Sequence, residues 1–178
     1  MANKKLKLSE LNRDEVLAYV NKDKISIVIV LDNIRSAQNI GSVFRTCDAF
    51  NIECIYITGI SAIPPNKEIL KTALGSTESV KWEYCESAIS CVEKLKKEGY
   101  TIIGIEQTQQ SLLLNEFSPT KDKKYVLVLG NEVEGVSQAV INKADITLEI
   151  PQFGTKHSLN VSVCAGIVIW DVYQKLYL

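Results

Sequence analysis

The stretch ISIVIVLD (Ile25–Asp32) runs through a short loop into QNIGSVFRTCDAF (Gln38–Phe50). The first segment is short, β-branched and almost wholly apolar, the pattern of a strand covered on both faces. The second reads as the opening turns of a helix. It carries Arg45 in its middle, shortly after Asn39 and Gly41. On a helix, Asn39, Val43 and Thr46 lie near one face and Arg45 on another. An arginine there is either a solvated surface residue or a placed cation. Gly41 permits close backbone approach.

The same alternation continues outward. Strands are expected at ECIYITG (Glu53–Gly59), VKWEYC (Val80–Cys85), YTIIGIE (Tyr100–Glu106), KYVLVLGN (Lys124–Asn131) and ADITLEIP (Ala144–Pro151). SAIPPNKE is a loop set by Pro64 and Pro65, with helix from Glu68 to Ala73. ESAISCVEKLKKEG is an amphipathic helix with Ala88, Val92 and Leu95 on one face, ended by Gly99. A short helix follows Gly135. The apolar run after Ser158 is too long for a strand and reads as a final helix over Val161–Tyr177, although VSVCAGIVIW alone would pass as a strand. Before Ile25, a short amphipathic helix is expected from about Leu8 to Val20. Asn12 and Glu15 are spaced as a capping box, and Leu11, Val16 and Val20 would pack. Strands alternating with helices predict an α/β fold, a mostly parallel sheet with helices on both faces. The parse is a short N-terminal helical extension (residues 1–24) and one domain (25–178).

Composition narrows the function. The chain has 178 residues and a formal net charge of −1, so no strong positive field advertises nucleic acid. RNA contact would rest on local patches such as Lys4, Lys5 and Lys7 or Lys121, Lys123 and Lys124, each as readily a solvated surface. Five scattered cysteines without a C-x-x-C fit a reducing cytosol rather than a disulfide framework. A single histidine, His157, leaves little for a zinc site. No signal peptide or membrane span is apparent, so a cytoplasmic protein is expected.

The usual nucleotide fingerprints, G-x-G-x-x-G and G-x-x-x-x-G-K-[ST], are absent, as is the hydrolase elbow G-x-S-x-G. His157 and Ser158 are neighbours whose side chains diverge, so they are not a paired base and nucleophile. Three loops remain. NIGSVFR (Asn39–Arg45) is one. LGNEVEGVS (Leu129–Ser137) holds Gly130, Glu132 and Gly135 as a G-x-E-x-x-G turn at a strand's carboxyl end, where open sheets bind ligands. IPQFGTKHSLNVSV (Ile150–Val163) leads through Pro151 and Gly154 to Ser158-Leu159-Asn160, where Ser and Asn are also ordinary helix caps.

In this order, N-x(5)-R, G-x-E-x-x-G and I-P-x-x-G-x-x-x-S-L-N-V-S-V, the loops resemble the SpoU/TrmH family of the SPOUT class, the S-adenosylmethionine-dependent RNA ribose 2′-O-methyltransferases. The resemblance runs from Ile25 to Leu178. Gln152 stands where many members carry Met, which alters one side chain beside the cofactor loop. The resemblance implies the SPOUT fold: a Rossmann-like, mostly parallel sheet whose C-terminal part forms a deep trefoil knot, in a homodimer. It implies S-adenosylmethionine held at Gly130, Ile150, Ser158 and Leu159, mostly through backbone, with Glu106 a further match. It implies an active-site set of Asn39, Arg45, Glu132, Ser158 and Asn160, no metal, and an RNA substrate; the chain's length, without an added domain, favours tRNA over rRNA. The alternatives are a catalytically inactive RNA-binding module of the same fold, and an unrelated doubly wound flavin-binding or signalling domain, which would leave the S-L-N segment unexplained.

Overall fold

The computed structural model describes residues 3–7 and 10–178. Its seven strands form one sheet in which every neighbouring pair runs parallel. The chain enters through α1 (Val16–Val20) into β1 (Ile25–Asp32), then α2 (Ala37–Ala49) and β2 (Ile52–Thr58). Two short helices, α3 (Lys67–Ala73) and α4 (Ser76–Ser79), precede β3 (Trp82–Cys85). There follow α5 (Ala88–Lys97), β4 (Tyr100–Ile105), the two-residue β5 (Leu112–Leu113), β6 (Lys124–Leu129), α6 (Gln138–Ile141), β7 (Ile146–Glu149) and α7 (Val161–Tyr177). In space the order is β3-β2-β1-β6-β4-β7-β5. The chain builds outward from β1 to β3, crosses to the other side, and later inserts β6 between β1 and β4. That reversal of direction is the switch point at which open parallel sheets bind ligands beyond their carboxyl ends.

Strand β1 explains its own composition. Ile27, Ile29 and Leu31 face one core with Val43 and Phe44 of α2 and Val168, Ile169 and Val172 of α7. Val28 and Val30 face the other, with Val92 and Leu95 of α5 and Val140 of α6. Alternate residues point to opposite faces, and both faces are covered, so the run Ile27–Leu31 is apolar at every position. Ala88, Val92 and Leu95 are buried as expected, and the left-handed Gly99 closes that helix. Gly41 serves helix packing: a Cβ there would overlap Thr72 and the Ile69 carbonyl. Thr72 Oγ1 donates to the Gln38 carbonyl (3.0 Å), so α2 and α3 lie in close contact.

Two elements differ from expectation. Leu8, the proposed start of the first helix, lies outside the described residues. The helix begins only at Val16, with Glu15 at its N-cap and no side-chain capping bond. Asn12 has φ +45°, whereas an N-cap needs extended backbone, so the capping box does not form. Leu11, Val16 and Val20 stay exposed. Instead Tyr19 anchors α1, its hydroxyl donating to the Asp48 carbonyl (2.7 Å) at the end of α2. The last helix starts at Val161 and its N-cap is Asn160, not Ser158; the Asn160 Oδ1 accepts from Ser162 N at 2.9 Å. Helix α7 buries one flank. Val163, Ile167, Trp170 and Tyr177 are exposed along the other, with Trp170, Tyr173 and Tyr177 clustered near Phe50. Among the described residues no helix is long and apolar enough to cross a membrane.

Candidate active site

The carboxyl ends of β4, β6 and β7, the loop after β7 and the first turn of α7 enclose a cleft of about 260 Å³. Glu106, Gly130, Ile150, Ser158 and Leu159, the residues expected to hold the cofactor, all line it. So do Glu132, from the expected active-site set, and Gln152.

The wall formed by residues 130–136 is main chain folded on itself. Asn131 and Gly135 exchange two backbone hydrogen bonds, N–H of each to carbonyl of the other, at 3.0 and 2.9 Å. A Cβ at Gly130 would overlap the backbone of Gly135 and Val136, so only glycine fits. Gly135 has φ +68°, in the left-handed region open to glycine. The Glu106 carboxylate clasps this loop from β4, accepting from Val136 N and Gln107 N, both at 2.9 Å. Its side chain thus shapes the wall of the cleft.

Two further residues set the loop and were not singled out from sequence. Asn131 Nδ2 donates to the Asn33 carbonyl (2.7 Å), while its Oδ1 accepts from Val133 N and Glu134 N. The buried Asp32 accepts from Ser137 N at 2.9 Å. An Asn after the motif glycine and an acid ending an apolar strand were the available signals; their partners lie about a hundred positions away.

Asn39 from the first turn of α2, Glu132 from the loop after β6 and Asn160 from the N-cap of α7 come together. Glu132 Oε1 accepts from Asn39 Nδ2 (2.9 Å), and Asn160 Nδ2 donates to Asn39 Oδ1 (3.1 Å). The Glu132 carboxylate also accepts the backbone N–H groups of Arg35 (2.9 Å) and Ser36 (3.0 Å) at the start of α2, where the helix dipole favours an anion. Partial burial pushes the Glu132 pKa up, but the donors from Arg35, Asn39 and Ser36 pull harder and leave it lowered. The same Asn160 caps α7, so one side chain ties the helix start to α2.

Arg45 stands apart. It is exposed on α2, beyond Asn39, and among the described residues no hydrogen bond or ion pair holds it. Asn39 and Glu132 therefore do not orient the arginine of their own chain; they bond to each other. Ser158 is exposed at the cleft, and Gln107 Nε2 donates to the His157 carbonyl (3.1 Å), pinning the end of the loop after β7. Cys164 closes the floor; burial, then the nearby Glu106 charge, pushes its thiol up to about 11, so it stays neutral. Among the described residues no group of three or more His, Cys, Asp or Glu is placed to hold a metal ion.

The family model described as the SpoU rRNA methylase family matches residues 26–170. A protein of Borreliella burgdorferi described as an uncharacterized tRNA/rRNA methyltransferase is 30% identical over 176 residues, covering 99% of this chain and 76% of its own length. A TrmH-family relative in Staphylococcus haemolyticus is 28% identical over 155 residues, which is 87% of this chain but 61% of that protein. Among solved structures, the TrmH/SpoU tRNA modifying enzyme of A. aeolicus superposes with a TM-score of 0.78 at 28% identity, over 88% of this chain and 78% of that one. The AdoMet-bound rRNA methyltransferase of Sinorhizobium meliloti shares the fold, with a TM-score of 0.79 at 22% identity over 88% of this chain and 59% of that one. Matched by the family over most of its length, and by a relative over nearly all of it, the chain belongs to the SpoU/TrmH family of RNA methyltransferases.

Proposed function

We propose that residues 25–178 form a methyltransferase domain that moves a methyl group from S-adenosylmethionine to a ribose 2′-hydroxyl of RNA, in a cytoplasmic homodimer. The observation that carries this reading is the convergence of Glu106, Gly130, Ile150, Ser158 and Leu159 on one cleft, beside the bonded set Asn39, Glu132 and Asn160. The cleft suits that cofactor. Ile105, Leu129, Leu148, Ile150 and Leu159 supply apolar wall for a purine and a thioether chain. Glu106, Glu132, Glu134 and Glu149 line it with no Lys or Arg, which favours a ligand bearing sulfonium and ammonium charges. The folded-back chain at Gly130 leaves backbone groups, rather than side chains, at the wall. The knot that the family implies would fix these loops against one another.

The cofactor brings an activated methyl, so no metal is required. The chain's task is to align the 2′-oxygen and to stabilise the charge that grows on it. Arg45 suits the second task. A guanidinium stays protonated in proteins, so it is no general base. It would pin the adjacent phosphate and lower the energy of the developing alkoxide, with the proton leaving through phosphate or water. Asn39, Glu132, Ser158 and Asn160 would organise ribose and cofactor loop. Because Arg45 has no partner among the described residues of its own chain, and α2 packs against α7 with its exposed apolar residues, the arginine fits a site completed by the second subunit.

The test is transfer of tritiated methyl to size-fractionated RNA from a deletion strain, with mapping of alkali-resistant linkages. The similarity to the A. aeolicus tRNA modifying enzyme favours tRNA over rRNA. Arg45→Ala should reduce transfer by roughly a hundredfold or more, the scale of losing an electrostatic stabiliser of the transition state, with cofactor affinity unchanged by calorimetry. Mixed dimers of Arg45→Ala and Glu132→Ala should recover part of the activity that each lacks alone. Near-normal transfer by Arg45→Ala would remove it from the mechanism. Failure of the wild-type chain to bind S-adenosylmethionine would favour the inactive RNA-binding module.

A further inference from the structure

Phe153 exposes 99% of its surface, more than any other large apolar residue among those described. A ring left wholly in water offers its face to an incoming ring, which would bury apolar surface on both. Phe153 lies on the loop between β7 and α7, at the rim of the cleft. Its neighbour Gln152 lines the cleft and Phe153 does not. The loop is tethered at its far end by Gln107 to the His157 carbonyl (3.1 Å) and by Asn160 to Asn39 (3.1 Å). Lys156, exposed on the same loop, enters no ion pair among the described residues. The rim therefore carries an aromatic face, a free cation and the polar groups of Gln152, Thr155 and His157.

We infer that Phe153 is a stacking platform for an unpaired base of the RNA substrate beside the reacting nucleotide, with Lys156 on an adjoining phosphate. This rests on the RNA-substrate reading above. Single-stranded RNA is gripped by this combination: aromatic rings take the faces of splayed bases and cations follow the backbone. A second copy of the chain is the poorer occupant. The apolar stripe suited to it, Val163, Ile167 and Trp170, lies on α7, whereas Phe153 is a lone ring among polar and cationic neighbours.

The experiment measures binding of fluorescein-labelled unfractionated tRNA, and separately of labelled rRNA, by anisotropy across a salt series. Phe153→Ala should weaken binding of whichever RNA the wild type holds by about tenfold, with the salt slope unchanged. Phe153→Trp should bind as wild type, and Phe153→Leu should be as weak as Phe153→Ala, because leucine has no π face. Lys156→Ala should flatten the slope of log K against log salt by about 0.7–0.9. Affinity for S-adenosylmethionine and the light-scattering mass should not move in any variant. Wild-type binding by Phe153→Ala, full rescue by Phe153→Leu, no RNA binding by the wild type, or dissociation of Phe153→Ala into monomers would each overturn the proposal. Methyl transfer is not the readout. A chain that binds RNA through Phe153 but transfers no methyl would sink the function proposed above and leave the platform standing.

Discussion

Glu132 concentrates several demands in one carboxylate. It accepts two backbone N–H groups at the start of α2 and the Asn39 amide, on the rim of the cleft. Its pKa is lower folded than in the unfolded chain, where a glutamate titrates near 4.3. A lowered carboxylate stabilises the fold fully above its unfolded pKa, and that contribution fades as pH falls through the folded value. The residue is largely solvent-exposed, so the contribution is small, about 0.5–1 kcal/mol. Glu132→Gln should therefore be less stable than wild type by that amount at pH 7. The gap should close as pH falls below about 4. Denaturant titrations of both proteins at a series of pH values check this, and a gap that widens in acid would show that the donors do not act on the charge. The family resemblance put Glu132, Asn39 and Asn160 in one set; the bonds among them join segments some ninety to a hundred and twenty positions apart, which no local pattern records.

At the level of elements, the loop from Gly130 to Gly135 is the part with least freedom. Gly130→Ala must push the backbone of Gly135 and Val136 aside. Overpacking of this kind costs about 1–3 kcal/mol, and here the displaced atoms are the cleft wall. Gly130→Ala should weaken S-adenosylmethionine binding, by calorimetry, by about tenfold or more while the variant still unfolds cooperatively; unchanged affinity would place the cofactor elsewhere. The longer elements were legible from the chain because their composition follows their burial. The middles of β1, β4 and β6 are apolar since both faces are covered, and α5 shows its buried stripe at helical spacing. β5 and α4 were not legible. With two and four residues, they are too short for a period to register and exist because neighbouring strands and helices hold them. The first helix failed for the opposite reason. Its pattern was amphipathic, but Leu11, Val16 and Val20 stay exposed and within α1 only Tyr19 is partly buried.

At the level of the whole molecule, the exposed side of α7 is the surface on which the proposed dimer would form. Val163, Ile167, Trp170 and Tyr177 recur at helical spacing and are 38–51% exposed, an apolar stripe beside the Phe50–Tyr173 aromatic cluster. Such contiguous patches mark association surfaces. Wild-type protein should scatter light as a dimer at micromolar concentration. Ile167→Lys combined with Trp170→Glu should yield a folded monomer that has lost RNA methylation; a dimer that survives both changes would move the interface off α7.

The place of β6 between β1 and β4 also has a consequence for the way the protein is made. While the polypeptide emerges from the ribosome, Ile25–Asp32 can pair with Ile52–Thr58 early, but its opposite edge has no partner until Lys124–Leu129 has been synthesised. Throughout that interval the nascent chain presents an apolar strand with unmet hydrogen-bonding groups, the feature that templates aggregation. Expression should accordingly be sensitive to chaperone supply and to elongation rate between these two segments, even though the finished sheet has that edge sealed at its centre.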